Sequence, residues 1–155
     1  EFRRVLFRSY EMKADGSNIT QIASVKAEVI DSVSYNSDCK KIIIGGKGIN
    51  DQNGSGIYEV STKTGKITKI LTDAMINNQK DCILDGIGPG VLAVISKNSK
   101  FLYFASIPKG AKELQFGGIG SFPRRIYSCN LSNHEIKEIY KYKSPTIITD
   151  LTISY

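Results

Sequence analysis

An internal repeat with a period of 60 residues most constrains what this chain can fold into. Residues 34–44 hold an apolar run, a polar turn and a second apolar run, and the same order of residue types returns at 94–104. Tyr35, Ile95 and Tyr155 mark equivalent positions in three copies. A fixed period of this kind is typical of repeat architectures, in which each unit buries its apolar surface against its neighbours.

A second motif alternates with the first and predicts β-hairpins. Segments 57–60 and 126–131 each contain an Ile-Tyr pair and lead through a turn rich in Gly or Asn into another apolar segment. Residues 10–22 follow the same plan, with the turn Asp-Gly-Ser-Asn. Such turn residues between two short apolar runs are the usual signature of a hairpin.

Residue types within the runs favour strands over helices. Segments 42–44 and 101–104 are short, continuous runs of β-branched, aliphatic or aromatic residues, which suits strands buried on both faces. The repeat unit is then four strands. Long loops at 45–55 and 107–125 join the second strand to the third, so both are expected at the same end of their units. A short helix is expected within 73–81, between units.

The first nine residues are predicted to be foreign to the fold. They read Glu-Phe-Arg-Arg-Val-Leu-Phe-Arg-Ser, which looks like a translated sequencing-library adapter and has to be set aside before fold reasoning. A genuine basic–aromatic strand is the alternative. We expect residues 1–9 to lack a ladder partner, whereas a well-packed central strand at 5–7 would contradict a foreign origin.

The residues needed for catalysis or for binding a cofactor do not occur in recognisable patterns. No Gly-x-Ser-x-Gly and no phosphate loop is present, and the one histidine, His134, stands in a predicted turn. No metal site is predicted, because residues 50–53 miss the spacing of a calcium loop and the three cysteines are far apart. A Cys39–Cys82 or a Cys82–Cys129 disulfide stays open for an extracellular source.

Composition excludes several classes of partner. Hydrophobic residues make up 41% and charged residues 23%, as in a globular domain, and no apolar run approaches the ~18–20 residues of a membrane helix. The formal net charge is +6, but in the basic–aromatic stretch at 137–143 lysine and glutamate interleave, as on a solvated strand face. Nucleic-acid binding needs basic residues gathered on one face, so no nucleic-acid partner and no membrane span are predicted.

The first motif carries a family resemblance. The run Tyr-Asn-Ser-Asp-Cys-Lys-Lys at 35–41, followed by isoleucines, resembles the Trp-Ser-Pro-Asp-Gly-Lys signature of the TolB-type, WD-like β-propeller repeat. The hairpins around Tyr58 and Tyr127 resemble that family's Ile-Tyr-x-x-Asp-x-x-x-Gly segment. Cys39 and Ser99 stand where the family has its turn glycine.

The resemblance implies an all-β fold, a β-propeller fragment of about three blades built as four-stranded antiparallel sheets. It covers 10–155, divided into a blade end at 10–23, a blade at 30–71, a blade at 91–140 and a blade start at 149–155.

The resemblance also implies a function. It indicates a non-catalytic binding or scaffold module that meets a protein, a peptide or another ligand, in the periplasm or at the cell surface. The alternative is the substrate-gating propeller of a prolyl-oligopeptidase-type serine peptidase, with its catalytic domain outside these residues. Function in such folds lies in the loops. The candidate binding residues are Asn50, Asp51, Asn53, Phe116, Phe122, Arg124 and Arg125.

Overall fold

The structure, a computed structural model, describes residues 5–116, 119–140, 148 and 151–152. Its strands are β1 (Val5–Glu11), β2 (Thr20–Ala27), β3 (Val29–Tyr35), β4 (Lys41–Lys47), β5 (Ser55–Ser61), β6 (Ile67–Thr72), β7 (Leu92–Ile95), β8 (Phe101–Ser106), β9 (Leu114–Phe116), β10 (Ile119–Ser121), β11 (Arg125–Asn130) and β12 (Ile136–Tyr140). A 3-10 turn at Ile49–Asp51 and a helix, α1 (Asp73–Asn77), are the helical segments of this part of the chain. The all-β prediction is confirmed, and α1 lies where a short helix was expected.

Two four-stranded antiparallel sheets form the body of the fold. The first sheet has the order β3-β4-β5-β6, and the second has the order β7-β8-β11-β12. The small hairpin β9–β10 is inserted between the second and third strands of the second sheet. The prediction of four antiparallel strands per unit is confirmed, and the arrangement is consistent with a β-propeller-like fragment.

The turns that open each sheet repeat in detail. The Asp38 carboxylate accepts the Lys40 amide at 3.0 Å, and the Asn98 side chain holds the equivalent amide 60 residues later at 3.1 Å. This contact lowers the pKa of Asp38. Cys39 and Ser99 have φ of 56° and 55°, in the left-handed region that glycine adopts most easily. Cys39 and Ser99 therefore adopt the turn conformation at the position where the family signature has a glycine.

Hydrogen bonds between the sheets follow the repeat. Each joins residues 59 or 60 positions apart: Val91 N–H to Asp31, Ser34 hydroxyl to the Ala93 carbonyl, and Ser37 hydroxyl to the Lys97 carbonyl, at 3.1, 3.0 and 3.0 Å. Strands β3 and β7 therefore lie side by side and run in the same direction. Because the strands within each sheet are antiparallel, the β4–β5 loop and the β8–β11 loop leave at the same end.

Side chains of alternate residues bury the facing surfaces of the two sheets. Ile43 and Ile57 of the first sheet belong to one buried cluster with Leu102, Phe104 and Tyr127 of the second. The rings of Phe104 and Tyr127 lie 5.8 Å apart, within the range of favourable aromatic pairs. This cluster fixes how the two sheets pack.

The opposite face of the first sheet packs on the hairpin β1–β2. Ile42 and Ile44 share a second buried cluster with Val25. The expectation that 42–44 is buried on both faces is confirmed. For 101–104 it is wrong, because Phe101 and Tyr103 remain half-exposed on a face that no described strand covers.

Two predicted boundaries are also wrong. The loop expected at 45–55 spans only 48–54, because Gly45 and Gly46 continue β4. A Cβ on Gly46 would lie 2.2 Å from the carbonyl oxygen of Val29, so the missing side chain lets β3 approach closely. The loop expected from 107 to 125 contains a short hairpin and ends one residue earlier, since the last residue begins β11.

The amino terminus departs from expectation as well. Residues 5–9 pair along β2, so the expectation that 1–9 lacks a ladder partner is wrong for these five residues. The reason is local, because a Val-Leu-Phe run with strong strand propensity can pair with a neighbouring strand whatever its origin. Val5 and Leu6 are exposed and Phe7 packs only partly against the core, so this is no well-packed central strand, and the foreign origin stays a prediction.

Part of each end of the chain lies outside the described residues. Positions 1–4 lie outside the described residues. The predicted blade start 149–155 also lies outside them, except for 151–152, which forms no strand.

Alkaline titration of the buried cluster supplies a test of this packing. Burial raises the pKa of Tyr127 from 10.0 to about 12 and that of Cys129 from 9.0 to about 11. Above pH 9 the unfolded chain releases these protons before the folded chain does. The contribution of these two protonated groups to the free energy of unfolding is thus complete below pH 9 and is lost as pH rises toward 12.

We expect the free energy of unfolding of the Tyr127→Phe variant to fall less steeply with rising pH than that of the original protein. The Tyr127 hydroxyl is buried without a hydrogen-bond partner among the described residues, so its removal should also stabilise the fold at neutral pH by up to about 1 kcal/mol. Urea unfolding between pH 7 and pH 11 measures both effects, with half-exposed Tyr103→Phe as the control. An alkaline slope identical to that of the original protein would contradict the burial of this hydroxyl.

Candidate functional site

Two segments meet at one end of the second sheet. We call residues 83–91 the linker segment and residues 107–124 the insertion loop. Leu84 and Pro108 form an isolated antiparallel bridge between them, and the Lys109 amide donates to a linker carbonyl at 2.9 Å. The two segments therefore run alongside each other where β8 ends.

Buried polar contacts hold the linker segment in place. The Ser106 hydroxyl, fully buried, lies 2.8 Å from the carbonyl oxygen of Gly86. The Asp73 carboxylate accepts the Ile87 amide at 2.7 Å with one oxygen and the Ser55 amide at 2.6 Å with the other. Asp73 thus connects the start of β5 in the first sheet to the linker segment.

Two adjoining depressions lie between the linker segment and the insertion loop, with volumes of about 210 and 260 Å³. Both are lined by Ile107 and Phe122. The Phe122 side chain is 40% exposed. The remaining lining residues are Asp85, Gly86, Gly88, Pro89, Ala111, Glu113, Gly120, Ser121 and Arg124.

Arg124 is fixed at the wall of the larger depression. Its guanidinium donates to the carbonyl oxygens of Pro89 and Gly90. The Asp31 carboxylate accepts the Gly90 and Val91 amides, each at 3.1 Å. Burial lowers the pKa of Arg124, and the nearby Asp31 charge opposes that effect. An arginine in this setting stays charged, with its head group held by the linker backbone.

Only some of the predicted binding residues meet at this site. Phe122 and Arg124 line the same depression. Arg125 belongs to β11 and forms an ion pair with Glu138 at 2.7 Å, away from the depressions. Phe116 ends β9, and its side chain lies outside the described part of the structure.

The candidates in the β4–β5 loop stand apart from the depressions. Asn50 and Asp51 adopt left-handed backbone conformations, with φ of 49° and 62°. Asp51 forms an ion pair with Lys26 at 3.2 Å. Neither these two residues nor Asn53 lines the depressions, although their loop leaves the sheets at the same end.

Sequence reasoning missed the linker segment and Glu113. Gly86, Gly88 and Gly90 lie close together in the linker segment. A Cβ on Gly88 would lie 3.0 Å from the Ile107 side chain, and one on Gly90 would lie 2.9 Å from the Arg124 guanidinium. The dense glycines were the available signal, because they mark close backbone approach. Nothing in the sequence singled out Glu113.

The described residues contain no group of three or more His, Cys, Asp or Glu side chains placed to hold a metal ion. The thiols of Cys39, Cys82 and Cys129 are free, with the first exposed and the last buried. Within the same part of the chain, no helix has both the length and the apolar character needed to cross a membrane.

Comparison with known proteins supports the fold. No protein-family model matches the chain, and no curated protein matches it. Among solved structures, the chain is similar to TolB from Acinetobacter baumannii, with a TM-score of 0.55 and 15% sequence identity. The match covers 92% of this chain and 30% of the TolB chain. At this identity the likeness shows a TolB-like β-rich fold. The chain spans less than a third of the matched TolB structure.

Proposed function

We propose that this chain is part of a β-propeller and acts as a non-catalytic binding module, holding a protein or peptide at the two depressions. The observation that carries the proposal is the position of Phe122, which is exposed and lines both depressions together with Ile107. Exposed aromatic side chains of this kind commonly anchor protein partners.

The propeller part of the proposal rests on repetition. The two sheets span 29–72 and 92–140 and are joined side by side in the 60-residue register, so we assign them to the blades at 30–71 and 91–140. The hairpin β1–β2 would then include the blade end at 10–23. The TolB-like fold agrees with this assignment.

The shape of the site favours an extended chain over a compact ligand. Each depression is smaller than the ~300–1,000 Å³ of a typical small-molecule pocket, and the two adjoin. Separate shallow depressions suit successive side chains of an extended peptide. His134 lies in the β11–β12 turn, at the other end of the second sheet, which also favours binding over acid–base catalysis here.

The family resemblance leads us to place the protein in the periplasm or at the cell surface. The substrate-gating role in a serine peptidase stays an alternative prediction, because the catalytic domain that it requires would lie outside this chain.

We expect Phe122→Ala to weaken peptide binding about tenfold, since an aromatic anchor usually contributes more than 1 kcal/mol. Heptapeptides would be selected from a randomised display library on the purified chain, synthesised, and measured by fluorescence anisotropy. Ile139→Ala, on β12 and 51% exposed, removes a similar apolar side chain elsewhere and should leave affinity unchanged. A library that returns no binder sensitive to Phe122→Ala would overturn the proposed site.

A further inference from the structure

The charges around the depressions are not equally available to a ligand. Asp85, Glu113 and Arg124 are the charged residues that line them. The Arg124 guanidinium is already held by linker carbonyls, and Asp85 accepts the Gly110 amide at 2.8 Å. Glu113 has neither an ion pair nor a hydrogen-bond partner among the described residues. The charge left for a partner is therefore negative.

The lysines of the insertion loop do not cancel this charge within the site. Lys109 and Lys112 are exposed, and neither lines either depression. The Glu113 carboxylate shares the larger depression with the Phe122 ring. A carboxylate beside an exposed aromatic ring suits a long basic side chain, which lays its apolar stem on the ring and carries its charge to the carboxylate.

We propose that the partner is an extended peptide in which a lysine or arginine neighbours an apolar residue, and that Glu113 determines this specificity. This inference rests on the proposed function. The basic side chain lies across Phe122 toward Glu113. The apolar neighbour enters the smaller depression, against Ile107 and Ala111.

The library selection tests the inference through composition. Peptides enriched on the original protein should carry a basic residue beside an apolar one. Glu113→Gln should lower the affinity for the selected peptides about fivefold, within the range of a partly exposed ion pair. Added salt should lower the affinity of the original protein in the same way, because it screens the ion pair. Selection on Glu113→Lys should shift enrichment toward acidic residues.

Matched variants separate this inference from the proposed function. Glu135→Gln removes an exposed carboxylate from the opposite end of the second sheet and should change nothing. Peptides that bind through Phe122 but show no basic preference and no response to Glu113→Gln would overturn the inference and leave the binding site standing. Failure of the Phe122→Ala test would overturn both.

Discussion

Replacing Asp73 with alanine is expected to lower the free energy of unfolding by about 3 kcal/mol. The Asp73 carboxylate accepts the buried amides of Ser55 and Ile87, which would both lose their hydrogen-bond partner. A buried amide left without a partner costs about 1–3 kcal/mol, and bonds to a charged group lie at the upper end. Urea unfolding at neutral pH measures the effect.

Two further variants interpret that result. Asp73→Asn keeps one acceptor oxygen and should recover about half of the loss. Glu11→Ala removes a carboxylate from exposed β1 and should change stability by less than about 0.5 kcal/mol. Equal losses from the Asn and Ala variants would mean that charge, rather than the two hydrogen bonds, is what the fold requires at this position.

Replacing Phe104 with alanine should cost about 4 kcal/mol, the middle of the range for truncating a buried phenylalanine. Phe104 is fully buried between the two sheets and stacks near Tyr127. Its removal leaves a cavity that the paired strands on either side cannot collapse to fill. Thermal or urea unfolding reports the loss.

Phe101→Ala is the matched control, because Phe101 belongs to the same strand but points to the half-exposed face. Its truncation should cost about 1 kcal/mol, since the ring is only partly buried and part of it is already in contact with water. Similar losses at Phe101 and Phe104 would show that the interface between the sheets does not bury the face described above.

Sequence alone predicted the elements that depend on neighbouring residues. The apolar run at 42–44 and the turn at Asp38 specify β4 and its tight connection, because strand preference and side-chain–backbone bonds act over a few residues. The 60-residue period predicted the side-by-side sheets.

The candidate site depended on contacts that no local pattern encodes. Phe122, Arg124 and Arg125 were all proposed from the sequence. The first two line a depression, but Arg125 pairs with Glu138 on the adjacent strand. The two arginines differ in their place in the fold, because Arg125 is the first residue of β11 whereas Arg124 comes just before the strand. Glu113 became notable because the other two charged residues that line the depressions, Asp85 and Arg124, already have hydrogen-bond partners.

What the sequence by itself determined is therefore the strand content, the turns and the repeat, since each follows from residues close together in the chain or from a fixed period. The tertiary structure alone decided that Gly45 and Gly46 extend β4, that residues 5–9 join β2, and that the linker segment walls the depressions. These outcomes depend on how closely distant segments of backbone approach one another and on which hydrogen-bond partners they find there. Both are set only when the sheets pack.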